Sequence, residues 1–224
     1  AGDADRQPAL EYRGAVTQTP SPSWLAQHPT LDVVYAALEG DAAVQAFARS
    51  GESALSPLGD PVEAGDGVCH VAVAPSGAFL IASCYGDGRV VRIGLDAEGR
   101  LVPDAVNKAA ELRAALLGEP LEAAPPKGVA APASDPYAGS VTAQGEPRVS
   151  HSHSAAFLRD GRIATTDLGF DLVRIWRQTP AGLVLDHEVV LPQGTGPRHM
   201  VVHPSGHLHV VTEYSCEVFT LASN

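Results

Sequence analysis

A few short stretches carry side chains whose types and spacing suit acid–base and charge chemistry. These are Cys69-His70, His151-Ser152-His153-Ser154 and Gly196-Pro197-Arg198-His199, with Asp167 and Glu213 as separate carboxylates. A histidine with a pKa near ~6.5 can pass protons at neutral pH. An arginine keeps its charge at any working pH and grips a carboxylate or phosphate in a fork. A glutamate can take a proton from water. Together they supply a base and a stabiliser for a developing oxyanion, which is what attack of water on an acyl carbon needs. His151 and His153 alternate, so in a strand they share one face, an arrangement also used for metals. No third ligand converges on them in the sequence, so no metal and no cofactor is expected.

These residues are far apart in the chain, and a repeat brings them together. One segment recurs four times: PSWLAQHPTLDVVYAALE, CHVAVAPSGAFLIASCYG, HSAAFLRDGRIATTDLG and RHMVVHPSGHLHVVTEYS. Each copy has an apolar run, a turn, a second apolar run and a closing polar residue. The turn residues Pro29, Pro75, Arg159 and Pro204 are spaced by 46, 84 and 45, and the closing residues Glu39, Cys84, Asp167 and Glu213 by 45, 83 and 46. Two independent markers thus give one period with one insertion. Several short strands per period of roughly 45 residues predict a β-propeller of four-stranded antiparallel blades. β-branched alternation and turns such as Gly86-Asp87-Gly88 support strands throughout.

Within a blade, the start of the innermost strand and the end of the second lie at the same end. That rule gathers Ser23-Trp24, Cys69-His70, His153-Ser154 and Arg198-His199 with Glu39, Cys84, Asp167 and Glu213 on one rim of a central channel. The insertion, residues 107–149, joins an outer strand to the next inner strand and is expected on the same rim. KAAELRAALL within it has helical composition, and the Pro/Ala/Gly-rich stretch after it reads as loop. Plainer uses are open to each rim residue. Arg198 can tie blades by pairing with Glu213 or Asp167, His153 can be a hydrogen-bonded rim histidine, and Trp24 and Trp176 can simply pack. His203, His207 and His209 belong to the opposite turn and its strand, as structural or solvated side chains.

The bulk properties narrow the partners. A net charge of -11 and a pI near 5.1 argue against nucleic acid and anionic membranes. No apolar stretch reaches the ~20 residues that span a bilayer. The first residues have no basic n-region or apolar h-region, so no signal peptide is expected there. Three cysteines do not make a disulfide framework, and reduced thiols in the cytoplasm are expected. The β-like LEYRGAV at the start and the break after a third strand at the end imply a single propeller domain over 1–224 that is incomplete.

Motifs carried by the repeat resemble the lactonase family of seven-bladed propellers, which includes bacterial propeller-type 6-phosphogluconolactonases and fungal carboxymuconate cycloisomerases. They are Pro22-Ser23-Trp24-Leu25-Ala26 with His28-Pro29, and His151-Ser152-His153-Ser154. Two more are Asp160-Gly161-Arg162 with Asp167-Leu168-Gly169, and Gly196-Pro197-Arg198-His199 with His203-Pro204 and Glu213. Cys84 stands where the family usually has Asn, and Arg159 replaces the usual turn proline. The resemblance implies a small anionic lactone substrate, most directly 6-phosphogluconolactone in the pentose phosphate route. It implies His153, Arg198 and Glu213 (with His151 an alternative to His153) as the catalytic group, and His70, His151, Asp167 and His199 as substrate-binding residues. Glu213 or His153 would activate water, while Arg198 and His199 would hold the oxyanion or the phosphate. A cycloisomerase on a muconate-type lactone and a non-catalytic binding propeller are the alternatives, because propellers host many functions.

Overall fold

The structure, a computed structural model, describes residues 12–51, 54–102, 129–130, 134–179 and 182–222. It consists of four antiparallel sheets. The first contains β1 (Pro22–Gln27), β2 (Val33–Leu38), β3 (Ala43–Arg49), β4 (Leu55–Pro57) and β5 (Val62–Glu63). The second contains β6 (Val68–Val73), β7 (Phe79–Cys84), β8 (Val90–Leu95), β9 (Leu101–Val102) and β10 (Val129–Ala130). The third runs β11 (Ser152–Phe157), β12 (Ile163–Asp167), β13 (Leu172–Thr179) and β14 (Gly182–Val190), and the fourth β15 (Pro197–Val202), β16 (Leu208–Thr212) and β17 (Val218–Leu221). This is the expected all-β propeller architecture, with one blade per repeat.

Strand β7 shows why these residues form blades. All six of its side chains are buried. Leu80, Ala82 and Cys84 face the first sheet, and Phe79 and Ile81 face the third. A strand buried on both faces needs a near-continuous apolar run, and FLIASC supplies one with Ser83 as its single polar side chain. Three apolar layers result, one in each gap between successive sheets, and the last is built on Ala164, Val173, Ile175, Leu208 and Val210. Trp176 fills the middle layer, and its indole N–H donates to Thr165 Oγ1 at 2.8 Å, so this tryptophan packs as expected.

The outer edge of the first sheet is made of two short strands, β4 and β5, which both pair with β3. Gly59, with φ 76°, and Pro61, which has no N–H to donate, interrupt the ladder. The described part of LEYRGAV, residues 12–16, is not a strand; its one ladder-like contact is Val16 C=O accepting from Leu55 N–H at 3.2 Å. The predicted helix KAAELRAALL lies outside the described residues.

Each innermost strand carries a bulge near its start. Pro22 and Trp24 oppose Leu38 and Ala37, Val68 and His70 oppose Cys84 and Ser83, and Pro197 and His199 oppose Thr212 and Val211. The extra residues are Ser23, Cys69 and Arg198. In β11, Ser152 and Ala155 oppose Asp167 and Thr165, so the extra residue falls at His153-Ser154. A bulge shifts the alternation of side chains by one. In β6, Val68, Val71 and Val73 therefore all face the same apolar layer, whereas an unbroken strand would have put Val68, His70 and Ala72 on that side.

Candidate active site

Side chains at or next to the four bulges meet one another across the sheets. Trp24 lies 4.5 Å from His70 and 5.3 Å from His199 between ring centroids, and His153 meets His199 edge-on at 5.0 Å. Contributions from four blades thus form a single aromatic cluster. Trp24 is 37% exposed. It packs against both histidines while keeping part of its ring open to solvent.

The imidazoles of this cluster are held neutral. Burial, followed by the nearby His199 and His153, pushes His70 down to about 3. Burial, His199 and the Arg198 guanidinium push His153 down to about 4. His199 is also lowered, by burial and Arg198, with Glu213 opposing. His70 Nδ1 accepts from Ala155 N–H at 3.4 Å, and His153 Nδ1 is buried without a partner. Cys69 shares the rim, but burial and the charge of Glu39 push its thiol up to about 12, so it is no thiolate nucleophile. Cys69, Cys84 and Cys216 are free.

Arg198 and Glu213 meet at 2.9 Å, both partly open to solvent. The backbone of Arg198 is fixed from the neighbouring blade: Thr166 Oγ1 donates to its carbonyl at 2.9 Å and accepts from Ser154 N–H at 3.0 Å. One hydroxyl thus ties the His153-Ser154 bulge to the Arg198 bulge. His151 stacks on Tyr85 at 4.1 Å, and its Nδ1 lies 2.6 Å from Tyr85 C=O. Tyr85 also meets His153 edge-on at 6.0 Å. The two histidines of the H-x-H pair thus serve different neighbours. Among the described residues, no group of three or more His, Cys, Asp or Glu is arranged to hold a metal ion.

Asp167 is placed differently from expectation. It is fully buried beneath the rim. Arg174 Nη2 donates to it at 2.6 Å, His151 N–H at 2.9 Å and Phe170 N–H at 3.0 Å, and the Ser150 hydroxyl donates as well. Its carboxylate has no face left for a ligand, so we assign it to holding the His151-Ser152-His153 strand rather than to binding substrate. Arg174, 1% exposed, also reaches Glu188 at 3.1 Å. His203, His207 and His209 sit around Ser205 and Thr220 at the opposite turn, as expected.

Tyr85 and Tyr214 were not singled out from the sequence. Tyr214 follows Glu213 and packs against Gly196, where an added Cβ would come within 2.6 Å of its ring. Gly196 also has φ 63°, so only glycine fits there without strain. The adjacency of Tyr85 to Cys84 and of Tyr214 to Glu213, at the closing position of each repeat, is the signal that points to both.

A cavity of about 1020 Å³ opens beside Glu213 and Tyr214. The described end of the insertion walls it. Residues 141–147 form a small hairpin closed by a Val141–Pro147 bridge and by Thr142 N–H donating to Glu146 C=O at 2.9 Å. Arg148 anchors this hairpin, donating to Asp135 at 3.1 Å and Asp171 at 2.9 Å. Tyr137 adds a hydrogen bond to Leu191 C=O at 2.7 Å.

Comparison with known proteins agrees with this fold. The chain belongs to the family described as lactonase, 7-bladed beta-propeller, which matches residues 4–224. No curated protein matches the sequence. Among solved structures, a protein from Lactobacillus plantarum is similar at 22% identity and TM-score 0.72, over 95% of this chain and 54% of that one. A candidate 6-phosphogluconolactonase from Bacteroides uniformis matches at 22% identity and TM-score 0.69, over 93% and 56%. The periplasmic gluconolactonase of Pseudomonas aeruginosa matches at 19% identity and TM-score 0.66, over 92% and 58%. The chain spans a little over half the length of these structures.

Proposed function

We propose that this chain carries part of the active site of an enzyme that hydrolyses a sugar lactone. The observation that carries the reading is the Arg198–Glu213 pair at 2.9 Å, set beside neutral imidazoles on the rim. Glu213 accepts a proton from water as the water oxygen bonds to the acyl carbon. Arg198 stabilises the oxyanion, and the ring C–O bond then breaks, with the proton going to the leaving alkoxide. His153, neutral and close to Arg198, positions the ester, and His70, His151 and His199 shape the channel mouth.

6-Phosphogluconolactone, a step of the pentose phosphate route, is supported by the motif resemblance and by the description of the Bacteroides uniformis neighbour. Unphosphorylated gluconolactone is supported by the Pseudomonas aeruginosa neighbour. The test is hydrolysis of both fresh lactones by the full-length protein, corrected for spontaneous opening. Turnover of at least one that falls about 10²-fold in Glu213→Gln is the expected result. No turnover of either overturns this reading, and wild-type rates in a folded Glu213→Gln protein remove Glu213 as the base.

A further inference from the structure

We propose that the cavity walled by the 141–147 hairpin is a subsite for the hydroxyl groups of an uncharged, polyhydroxylated lactone, and that it selects against a phosphate ester. The proposal rests on the lactonase reading and names the substrate class of that same site. Glu213 belongs to both features, pairing with Arg198 on one side and lining the cavity on the other. A lactone whose ester reaches Glu213 therefore extends its remaining carbons into this space. Thr142, Gln144, Gln193 and Tyr214 line it with hydroxyls and amides. Such groups both donate and accept, which matches a polyol.

The charge around the cavity opposes a phosphate. Glu146, Asp171 and Glu213 line it with three carboxylates against the one guanidinium group of Arg148, a formal surplus of two negative charges among the described lining residues. Arg148 is the cation closest to the hairpin, yet it is not available to an anion. Its Nε and Nη1 are held by Asp135 and Asp171, and its remaining Nη2 is closed off from solvent. Asp171 is further held by Gly194 N–H at 2.9 Å and Gly196 N–H at 2.8 Å, so the strut does not open for a ligand. The hairpin belongs to the insertion that departs from the 45-residue repeat, so this wall is a feature of this chain and not of the blade plan.

The test compares kcat/KM for D-glucono-δ-lactone and for its 6-phosphate with the full-length protein. The wild type is expected to favour the uncharged lactone by about tenfold or more, the scale of two excess charges near a dianion in a partly solvated site. Glu146→Lys, at an exposed hairpin position, is expected to shift that ratio toward the phosphate by about tenfold. Gln144→Ala with Gln193→Ala is expected to raise KM for the uncharged lactone while leaving kcat in place, as for a uniform binding contact. A wild type that prefers the phosphorylated lactone, or a ratio unmoved by Glu146→Lys, overturns the subsite while leaving the lactonase reading intact. If neither lactone turns over, calorimetric binding of D-gluconate decides separately. Binding that weakens in Gln144→Ala supports the subsite, and binding that is absent or unchanged overturns it.

Discussion

Acidification gives a sharp test of the buried imidazole cluster. In the unfolded chain, His70 and His153 would titrate near their ordinary 6.5, whereas in the folded protein they are pushed down to about 3 and about 4. The folded state refuses protons that the unfolded chain accepts, so stability is greatest above pH 6.5 and declines as pH drops through that value. The decline for each group is about 1.4 kcal/mol per pH unit until its folded pKa is reached. At pH 5, His70 alone costs about 1.5 units, or about 2 kcal/mol. His153 adds up to as much again, less whatever the solvent at the channel mouth screens, so the total lies between about 2 and 4 kcal/mol. For a domain of this size that is a fall in Tm of about 4–15 °C between pH 7.5 and pH 5. The lowered carboxylates Asp87, Asp96, Asp160 and Asp186 act below this window, and the lowered His199 adds a loss of the same sign within it. The assay is thermal unfolding across the range, with NMR titration of the imidazole Cε1 protons. His70→Gln should flatten the profile by about one proton. A His70 or His153 resonance that titrates near 6.5, or a Tm that moves by less than about 2 °C, would refute the neutral cluster.

Steady-state kinetics should separate the roles at the rim: Glu213→Gln lowers kcat/KM by about 10²-fold, mainly through kcat, and Arg198→Ala lowers it similarly with a higher KM. Wild-type rates in a folded Glu213→Gln protein would move the base to another group. Arg148→Met leaves Asp135 and Asp171 facing each other in a buried site, and calorimetry should record a loss of about 3 kcal/mol. Gly196→Ala places a methyl against Tyr214 at a backbone angle that L residues avoid, so about 1–3 kcal/mol of stability should go with it. An unchanged melting temperature in either variant contradicts the packing described.

The blades were legible because each needs apolar strands at a fixed spacing, and that pattern survives even where the turn residue changes, as at Arg159. The rim was legible in outline, since topology alone sends Arg198 and Glu213 to the same end. What stayed hidden was depth. Position along a strand places Asp167 at the rim, but only packing reveals that Arg174 and Ser150 draw its carboxylate inward. The bulge at Ser23 was hidden as well, because a register shift depends on the pairing with Leu38 and Ala37 and leaves no mark in the alternation of a single strand. The Pro/Ala/Gly-rich part of the insertion reads as loop, and its described end is tied down by ion pairs and hydrogen bonds, Arg148 and Tyr137 among them. Composition does not register such ties, because their strength depends on geometry.

The repeated bulge separates two demands within one strand. Beyond it, side chains such as Val71 and Val73 obey the pattern of the interior, where a changed methyl group is felt. At the bulge itself, Ser23, Cys69, His153 and Arg198 are four unlike side chains at equivalent places, and the sheet accepts all of them. Each blade thus has a socket whose occupant can be exchanged without renegotiating the blade. A site assembled from such sockets can change its chemistry one blade at a time, with the framework indifferent to which chemistry it carries.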